Sequence, residues 1–433
     1  MEVKPGYKQT EVGVIPEEWN THRLGELLQG PRSIRYGIVQ PGKFDATGCY
    51  MLRSQDYSKG WAGPDGMHKV SAQLENQYRN ARILHNDLVI TVVGAGIGQV
   101  VIVPQWLDGA ILSRSTARVA IDEDKAARSF VRAFLEGPLG KRQILDCQKE
   151  GAQPVVSCID LAKFFVAYPP LPEQRAIATA LSDVDGLLGG LDLLIAKKRD
   201  LKQAAMQQLL TGQTRLPGFH GDWEMKTLGS VLSKGRLGGN YANQDAEAEL
   251  PLMKMGNLAR GYFDLSKVQF IQPGVTPEVT RRLFFGDVLF NTRNTLDLVG
   301  KVAIWRDELP VAYYNSNLMR LEFDPEQVCS NQYANYALNT DSAVSGLRGL
   351  ATGTTSVAAI YTRDLMKLQV IVPPLPEQTA IAEVLTEMDA ELAALEQRRE
   401  KTHALKQAMM QELLTGRTRL VAREAAKNAK EKK

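Results

Sequence analysis

Two stretches of the chain carry a regular spacing of apolar side chains, and each predicts one long α-helix. Apolar positions recur at alternating steps of four and three residues from 177 to 195 and again from 381 to 395. Such steps mark the seam of a coiled coil rather than the wider apolar stripe of a helix on a core. The seam residues are Ile177, Leu181, Val184, Leu188, Leu191 and Ile195 in the first stretch, and Ile381, Leu385, Met388, Leu392 and Leu395 in the second.

The residues around each seam supply the signals that begin and end a helix. Both stretches begin with Pro-Pro-Leu-Pro-Glu-Gln and end in Leu-Leu-Thr-Gly. Proline fits the first helical turn and glutamate complements the helix dipole there. Gly212 and Gly416 suit the left-handed residue that commonly stops a helix. A helix over 173–211 would be roughly 55–58 Å long at its rise per residue.

The matching seams predict that the two helices pack against each other in an antiparallel pair. The alternative is that each helix packs only on the domain beside it. Gly186, Gly189 and Gly190 lie inside the first helix and each weaken it by about 1 kcal/mol relative to alanine. Packing against another element must therefore offset that cost.

The whole chain is an internal repeat with a constant shift of 204 residues. PPLPEQ at 169–174 recurs at 373–378, and LKQAAMQQLLTGQTRL at 201–216 recurs as LKQAMMQELLTGRTRL at 405–420. The segments between these anchors differ far more than the anchors do. The repeat predicts recognition domains at 1–168 and 217–372 and helical spacers at 169–216 and 373–420. The lysine-rich segment at 421–433 is predicted to be a basic tail that is disordered or contacts phosphate.

The repeat is also cyclic. Residues 10–19 align with 214–223, the linker that follows the first helix. The chain thus starts in mid-linker and finishes just after the second helix. This arrangement predicts that the two ends of the chain lie close in space, with the halves related by a pseudo-twofold axis.

The two divergent segments, called cassettes below, combine strand and helix patterns. In the first cassette, residues 87–93, 100–103 and 116–121 are strand-like, and 127–146 is helix-like. The second repeats this with strands at 287–291, 302–305 and 318–323 and a helix near 331–341. The predicted fold is therefore α+β, with two pseudo-twofold-related α/β recognition domains separated by an antiparallel pair of long coiled-coil helices.

One glycine-rich stretch imitates a dinucleotide-binding loop. LVITVVGAGIG at 88–98 approaches the G-x-G-x-x-G pattern, but Gln99 stands at its last position. A β-type run follows instead of a helix, so no helix N-terminus is available for a phosphate. The stretch is therefore interpreted as a β-hairpin.

Composition and charge leave few classes of protein open. The net charge is +3, so any nucleic-acid surface must be local. No apolar run approaches the length needed to span a membrane, and Cys49, Cys147, Cys158 and Cys329 show no zinc-ligand spacing. We expect reduced core thiols in a cytoplasmic protein. No motif of a nucleotide-binding, hydrolase, metalloprotease or methyltransferase site is found, which argues against an enzyme.

Polar loops at corresponding places in both cassettes offer groups that suit DNA. Arginine and lysine match guanine, and asparagine and glutamine match adenine, in the major groove. The candidate DNA-binding residues are Arg53, Gln55, Tyr57, Lys59, Arg79, Arg82, Ser113 and Arg114 in the first cassette, and Lys254, Asn257, Arg260, Tyr262, Asn291, Thr292, Arg293 and Asn294 in the second.

The doubled helix motif resembles the specificity subunit of type I restriction-modification systems. The similar segments are PPLPEQRAIA and PPLPEQTAIA, LLTGQTRL and LLTGRTRL, and GDVLFNTRNT at 286–295. The resemblance implies two target recognition domains that each read one half of a split DNA site, and a coiled coil that fixes their spacing. It implies two modification subunits and motor-nuclease restriction subunits as partners. S-adenosylmethionine, ATP and magnesium would bind to those partners and no cofactor to this chain.

Residues 90–94 of the first cassette depart from this pattern, because they are largely apolar where 290–294 are polar. Two other classes of function stay open from the sequence. One is a coiled-coil adaptor that presents two protein-binding domains, and the other is a self-contained nuclease or methyltransferase. Steeply salt-dependent binding to random duplex would distinguish the DNA reader from the adaptor.

Overall fold

A computed structural model describes residues 4–94, 96–147 and 155–420. The predicted tail at 421–433 lies outside the described residues. The chain divides into two compact units. The first unit comprises the residues up to Leu191 together with those from Arg398 onward, and the second is Asp192–Gln397.

The first cassette is built of short strands and short helices. Its strands are β1 Tyr7–Thr10, β2 Gly13–Pro16, β3 Asn20–Arg23, β4 Arg35–Tyr36, β5 Cys49–Leu52, β6 His68–Val70, β7 Leu88–Thr91, β8 Val100–Ile102, β9 Ile111–Leu112, β10 Thr116–Val119 and β11 Phe165–Tyr168. Its helices are α1 Ala72–Gln77, α2 Arg128–Glu136, α3 Pro138–Asp146 and α4 Cys158–Lys163. The long helix α5, Leu171–Leu210, follows.

The second cassette has the same character. Its strands are β12 Glu224–Thr227, β13 Leu232–Leu237, β14 Asn243–Gln244, β15 Pro251–Met253, β16 Gln269–Ile271, β17 Val288–Asn291, β18 Arg293–Asn294, β19 Val302–Ile304, β20 Tyr313–Tyr314, β21 Leu318–Phe323, β22 Thr352–Gly353, β23 Ala358–Ala359 and β24 Gln369–Val372. Its helices are α6 Leu228–Val231, α7 Asn331–Ala337, α8 Asp341–Leu350 and α9 Thr362–Leu365, and the long helix α10, Leu375–Leu413, follows.

The two cassettes share one sheet framework, which confirms the α+β repeat. A four-stranded antiparallel sheet runs β4-β10-β7-β8 in the first and β13-β21-β17-β19 in the second. A second sheet, of three strands in the first cassette and four in the second, contains one parallel pair in each case, β5 with β9 and β15 with β20. The predicted strands therefore fall within one or two residues of the observed ones.

The glycine-rich stretch is a hairpin, as interpreted from the sequence. Strands β7 and β8 pair antiparallel, with Leu88 opposite Ile102 and Ile90 opposite Val100. The chain between them turns at Gly94, whose φ of 96° lies in the left-handed region that favours glycine. This hairpin leads into a strand, so it offers no helix terminus to a dinucleotide.

The predicted single helices of the cassettes are wrong in extent. Residues 127–146 form two helices, because Gly137 is extended (φ −78°, ψ 174°) and the ring of Pro138 disfavours a helical residue before it. The helix expected near 331–341 ends at Ala337. A new helix begins at Asp341, where the Thr340 hydroxyl accepts a hydrogen bond from the Ala343 amide as its N-cap.

Both predicted packing modes of the long helices occur together. In the first unit, Ile177 and Leu181 of α5 and Leu413 of α10 belong to the same core as Trp19 and Phe134 of the cassette. In the second, Leu209, Leu210, Ile381 and Leu385 pack with cassette residues such as Phe290. Each helix end therefore pairs with the other helix and also completes the core of a cassette.

The seam residues between these ends are buried or half-buried. Leu191 and Ile195 are each 4% exposed, and Val184, Leu188, Met388, Leu392 and Leu395 are half-buried. Ion pairs along the second unit show the antiparallel direction, because Lys198 pairs with Glu391 while Lys202, further along α5, pairs with the earlier Asp389 of α10. In the first unit Lys406 pairs with Asp185 at 2.6 Å.

A buried glutamate at the start of each long helix anchors it to the rest of its unit. The Trp19 indole N–H donates to Glu173 Oε2 at 3.1 Å, and the Arg419 guanidinium donates to both carboxylate oxygens at 2.6 and 2.8 Å. This hydrogen bonding to Glu173 raises the pKa of Arg419. We call Glu173, Trp19 and Arg419 the first glutamate clamp.

The second unit repeats the arrangement at the positions 204 residues further along. The Trp223 indole donates to Glu377 at 3.0 Å, and the Arg215 guanidinium donates to the same carboxylate at 2.9 and 2.5 Å. These residues form the second glutamate clamp. The adjacent Gln174 and Gln378 are also fully buried, and each donates to a proline carbonyl five residues earlier. Each clamp is thus built from three repeated segments, which are PPLPEQ, the Trp and Thr-Arg-Leu.

The first clamp also brings together the described residues nearest the two ends of the chain. Tyr7 donates its hydroxyl to the Gly416 carbonyl at 3.2 Å, and Arg419 pairs with Glu18 at 3.2 Å. The cyclic repeat predicted this proximity, and it is confirmed.

Candidate nucleic-acid interface

Four loops of the first cassette meet at one end of its sheets. The Ser113 amide donates to the Leu52 carbonyl at 3.0 Å, and the Arg114 amide donates to Ile38 at 2.9 Å. The Val92 amide donates to the carbonyl of Ser115 at 2.9 Å. We call the surface formed by 36–38, 53–59, 92–94 and 113–115 the first loop edge.

The second cassette forms the corresponding surface from corresponding hydrogen bonds. The Asn315 amide donates to Met253, the Ser316 amide to Gly239 and the Thr292 amide to Asn317, each at 3.0 Å. The strand β18 begins directly after Thr292 and pairs with β23. We call the surface formed by 238–239, 254–257, 292–294 and 315–317 the second loop edge.

Some predicted residues of the first cassette are accessible. Gln55, Lys59 and Arg114 are exposed on the first loop edge, and Arg79 is exposed on the turn after α1. Arg82 is exposed but forms an ion pair with Glu75. Gln55, Lys59, Arg79 and Arg114 are therefore the first-cassette candidates with side chains open to a ligand.

Three other predicted residues of the first cassette serve the loop framework. Tyr57 is 2% exposed, and its hydroxyl lies 2.6 Å from the Thr91 hydroxyl. Burial raises the pKa of Tyr57. Ser113 is buried, and the half-buried Arg53 pairs with Asp56 at 2.7 Å. The prediction is corrected for Tyr57 and Ser113, because side chains buried in hydrogen bonds of the fold do not reach a base edge.

The second cassette shows the same division. Arg293 and Tyr262 are exposed, whereas Asn257 and Asn291 are buried. Asn257 donates its amide to two backbone carbonyls at 3.0 and 2.9 Å, and Asn291 donates to one at 3.3 Å. These two predictions are also corrected, because loop closure occupies both amides.

The remaining predicted residues of the second cassette are half-buried. Lys254 donates its ammonium to Gln269 at 2.7 Å, and the Thr292 hydroxyl donates to a backbone carbonyl at 2.8 Å. Asn294 accepts a hydrogen bond from the following amide at 2.8 Å. Arg260 lies on the turn beside the beginning of β19. Of the two predicted cations on the second loop edge, Arg293 is exposed and Lys254 is half-buried.

A groove beside the first loop edge was not predicted from the sequence. It has a volume of about 390 Å³ and is lined by Arg35, Tyr36, Gln77 and Asn80 among others. Tyr36 is 52% exposed on the edge strand β4. The Gly37 amide donates to Ser113, which places the groove next to that loop. The signal that could have found it is the Arg-Tyr-Gly sequence at 35–37, an arginine and an aromatic residue before a turn.

The described residues provide no alternative site for a metal ion. They contain no group of three or more histidine, cysteine, aspartate or glutamate side chains that could hold one. The expectation of core thiols is wrong for Cys329, which is exposed, and Cys49, Cys147 and Cys158 are half-buried. Within the described part of the chain, no helix is both long enough and apolar enough to cross a membrane.

The exposed groups on the two loop edges suit the edges of DNA bases and the phosphate backbone. Guanidinium and amide side chains can form paired hydrogen bonds with guanine and adenine. Ammonium and guanidinium groups also bind phosphate without regard to sequence. The frameworks of the two edges match, while their exposed side chains differ, so they can select different bases.

Comparisons with known proteins agree with this description. The family model of the type I restriction modification DNA specificity domain matches this chain twice, over residues 16–191 and 220–403. The chain is 26% identical over 204 residues to the type I restriction enzyme EcoBI specificity subunit of Escherichia coli, covering 46% of this chain and 43% of that protein. It is 22% identical over 422 residues to the MjaVIII specificity subunit of Methanocaldococcus jannaschii, covering 94% of each.

Solved structures show the same fold. A chain from a structure of the type I R-M system, described for its complex assembly and conformational transition, aligns with a TM-score of 0.55 at 19% identity. That alignment covers 93% of this chain and 99% of the other. The S subunit of the type I system from M. genitalium aligns with a TM-score of 0.55 at 13% identity, over 95% and 98% of the two chains.

Proposed function

This chain belongs to the family of type I restriction-modification DNA specificity proteins, and from that premise we propose that each of its units reads one half of a bipartite, asymmetric DNA site. The observation that carries the proposal is the pair of loop edges, which share one hydrogen-bonded framework but present different exposed side chains. Two copies of one docking surface with different side chains suit a site of two unlike halves.

The chemistry of each loop edge supports reading from the major groove. We propose that Gln55 and Arg114 contact bases of one half-site, and that Arg293 and Lys254 contact bases of the other. Lys254 would exchange its hydrogen bond to Gln269 for one to the DNA. Cations around each edge would bind phosphates and fix the register of the unit on the duplex.

The two long helices supply a second proposed role, which is to set the distance between the half-sites and to bind the modification subunits. Leucines lie on the outer faces of both helices, with Leu193 75% exposed and Leu405 56% exposed. Leu187 and Leu201 are also exposed. Apolar side chains repeated along a charged helical surface favour a protein partner.

We assign the catalytic steps to those partners rather than to this chain. S-adenosylmethionine would bind to the two modification subunits, and ATP and magnesium to the restriction subunits that carry the motor and the nuclease. The assembled complex would act in the cytoplasm of a bacterial or archaeal cell, where the cell's DNA lies. The curated relatives are specificity subunits by name, which supports a role without catalysis.

Mapping the methylated bases made by the complete complex tests the proposal. We expect one bipartite motif with two different half-sites and an unspecified spacer. A single continuous palindrome would contradict it. Salt titration of binding to random duplex separates DNA binding from the adaptor alternative, because phosphate contacts make the logarithm of affinity fall steeply with the logarithm of salt concentration.

Replacing a base-reading arginine should relax one half-site and leave the other unchanged. For Arg293→Ala we expect a loss of about 1–3 kcal/mol in discrimination at one base pair of the second half-site. Arg114→Ala is the matched control in the other unit, and its effect should fall on the first half-site only. Methylation maps of both variants measure the change. Relaxation of both half-sites by either variant would refute the assignment of one half-site to each unit.

A further inference from the structure

Three cationic side chains of the second unit come together beside the second loop edge. They are Arg260 on the turn before Gly261, Lys301 at the end of the loop that joins β17 to β19, and Arg348 on α8. We call these three residues the basic cluster. Arg260 was a sequence-based candidate for DNA contact, whereas Lys301 and Arg348 were not.

The backbone holds the three elements of the basic cluster together. The Gly261 amide donates to the Val302 carbonyl at 2.8 Å, and Gly261 also bridges to Ala303, which places Arg260 beside Lys301. At Gly300, φ is +77°, and an added Cβ would lie 3.2 Å from the Cβ of Leu347. Glycine at 300 therefore permits α8 to lie directly against the hairpin, which brings Arg348 of α8 close enough to Arg260 for its charge to act there.

The acidic groups near the basic cluster leave it under-neutralised. Arg348 lies 3.7 Å from Asp297, whose side chain is 88% exposed. Asp264 is the other nearby carboxylate, and it already accepts a hydrogen bond from the Ser266 amide at 2.9 Å. Among the described residues, the Arg260 Nη1 atom is buried and has no hydrogen-bond acceptor. Several other buried guanidinium atoms of the described residues also lack a partner. This one differs because the charges of Arg348 and Lys301 lie near it, so one anionic ligand could contact all three cations.

The electrostatics of the basic cluster point the same way. Burial lowers the pKa of Arg260, and the charge of Arg348 lowers it further. Burial and the charge of Arg260 likewise lower the pKa of Lys301, against an opposing effect of Asp264. An anion at the centre would offset the cost of desolvating the cations and would neutralise their mutual repulsion.

We propose that the basic cluster binds one backbone phosphate of the DNA beside the second half-site. This inference rests on the proposed function and names a contact that sets position rather than sequence. A phosphate fits because it accepts several hydrogen bonds at once, and a guanidinium fork with an ammonium supplies them from different directions. The place fits because the β17–β19 hairpin that carries Lys301 also carries Arg293 of the second loop edge.

The described residues of the first unit form no counterpart of the basic cluster, although the sheet framework is the same. A Cβ at Gly98 would meet Ile144, as one at Gly300 meets Leu347, so Gln99 and Leu145 take the places of Lys301 and Arg348. Gln99 donates its amide to the Tyr57 carbonyl at 3.1 Å, and Leu145 is 63% exposed. The proposed phosphate contact is therefore a property of one half of the molecule.

Salt dependence of DNA binding by the full chain tests the proposal. For the double variant Arg260→Gln, Lys301→Gln we expect weaker binding to every duplex, and a slope of log affinity against log salt smaller by about 0.9, the value for one phosphate. Lys234→Gln removes an exposed lysine on β13 as the matched control, and its slope should stay that of the wild type. The methylated motif of the double variant should be unchanged, unlike that of Arg293→Ala.

A series of duplexes, each with one backbone phosphate replaced by a neutral methylphosphonate, locates the phosphate that the basic cluster contacts. One position should weaken the wild type and have no further effect on the double variant, because the same interaction is lost only once. Additive losses at every position would overturn the proposal, as would an unchanged salt slope in the double variant. If the wild type itself does not bind duplex DNA, the proposed function fails rather than this contact.

Inorganic phosphate separates a DNA contact from a site for the free ion. The double variant removes two repelled cations, so its unfolding temperature without ligand should equal or exceed that of the wild type. Inorganic phosphate should stabilise the wild type more than the variant. If it does so while the salt slope for DNA is the same in both proteins, the site binds the free ion and the proposed backbone contact is wrong.

Discussion

Inserting seven residues into each long helix is expected to lengthen the spacer of the DNA site by about three base pairs, because one heptad adds about 10 Å of helix and a base pair spans about 3.4 Å. The insertions belong after Leu191 in α5 and after Gln397 in α10, where each helix passes from one unit to the other. A whole heptad keeps the seam in phase, so the buried leucines and isoleucines still meet. Methylation mapping of the complex measures the result.

Both half-sites should keep their sequences in this variant, and sites with the original spacer should lose modification almost completely. An insertion of seven residues in α5 alone is the control, because it shifts one helix against the other and should impair folding or assembly. New half-site sequences, or an unchanged spacer, would refute the role of the helices as a ruler.

Replacing the buried glutamate of the first clamp should strongly destabilise the first unit. Glu173 is 1% exposed and accepts hydrogen bonds from both Trp19 and Arg419. Glu173→Ala leaves the guanidinium and the indole without their partner, and losing one member of a buried pair costs about 3–5 kcal/mol. Denaturant unfolding followed by tryptophan fluorescence measures the loss, since Trp19 lies in the clamp.

Glu18→Ala is the matched control, because Glu18 pairs with the same Arg419 from a position that is 47% exposed. A surface pair of this kind should contribute about 0.5 kcal/mol or less. Glu173→Gln keeps the shape and some hydrogen bonding, so its stability should fall between the wild type and Glu173→Ala. Equal effects of Glu18→Ala and Glu173→Ala would show that the clamp does not anchor the helix.

Local chemistry explains which features of the fold the sequence predicted well. The heptad spacing, the prolines and the glycine stops depend on neighbouring residues, and the helices Leu171–Leu210 and Leu375–Leu413 appear where these signals place them. The hairpin at 88–102 followed from the β-type residues after its glycines. The break at Gly137 was missed, although the Gly-Pro pair that causes it is also a local signal.

The candidate site was predicted less well, because one side-chain type can serve two purposes. Asn257 and Asn291 have the amides expected of adenine readers, but they close loops of the fold. Arg293 and Gln55 lie on different loops of the two loop edges, and both side chains are exposed. Only the packing of the surrounding strands decides which polar side chain of a loop faces inward, and residue type carries no information about that choice.

The basic cluster was not predicted, because its residues are far apart in the sequence. Lys301 and Arg348 stand 47 positions apart in the sequence, and no local pattern links them. Both lie near Arg260, and Gly300 lets α8, which carries Arg348, approach the hairpin closely. A sequence pattern does not reveal such an approach.

The sequence by itself determined that the chain is a repeat, that each half ends in a long amphipathic helix, and that Trp19, Glu173 and Arg419 recur as Trp223, Glu377 and Arg215. Tertiary structure alone decided which arginine completes which clamp. Arg215 follows the helix that Glu173 begins, but a rigid helix of 40 residues holds its two ends about 60 Å apart. Because α10 runs antiparallel to α5, Arg419 reaches Glu173 instead, and the first unit is completed by the last part of the chain.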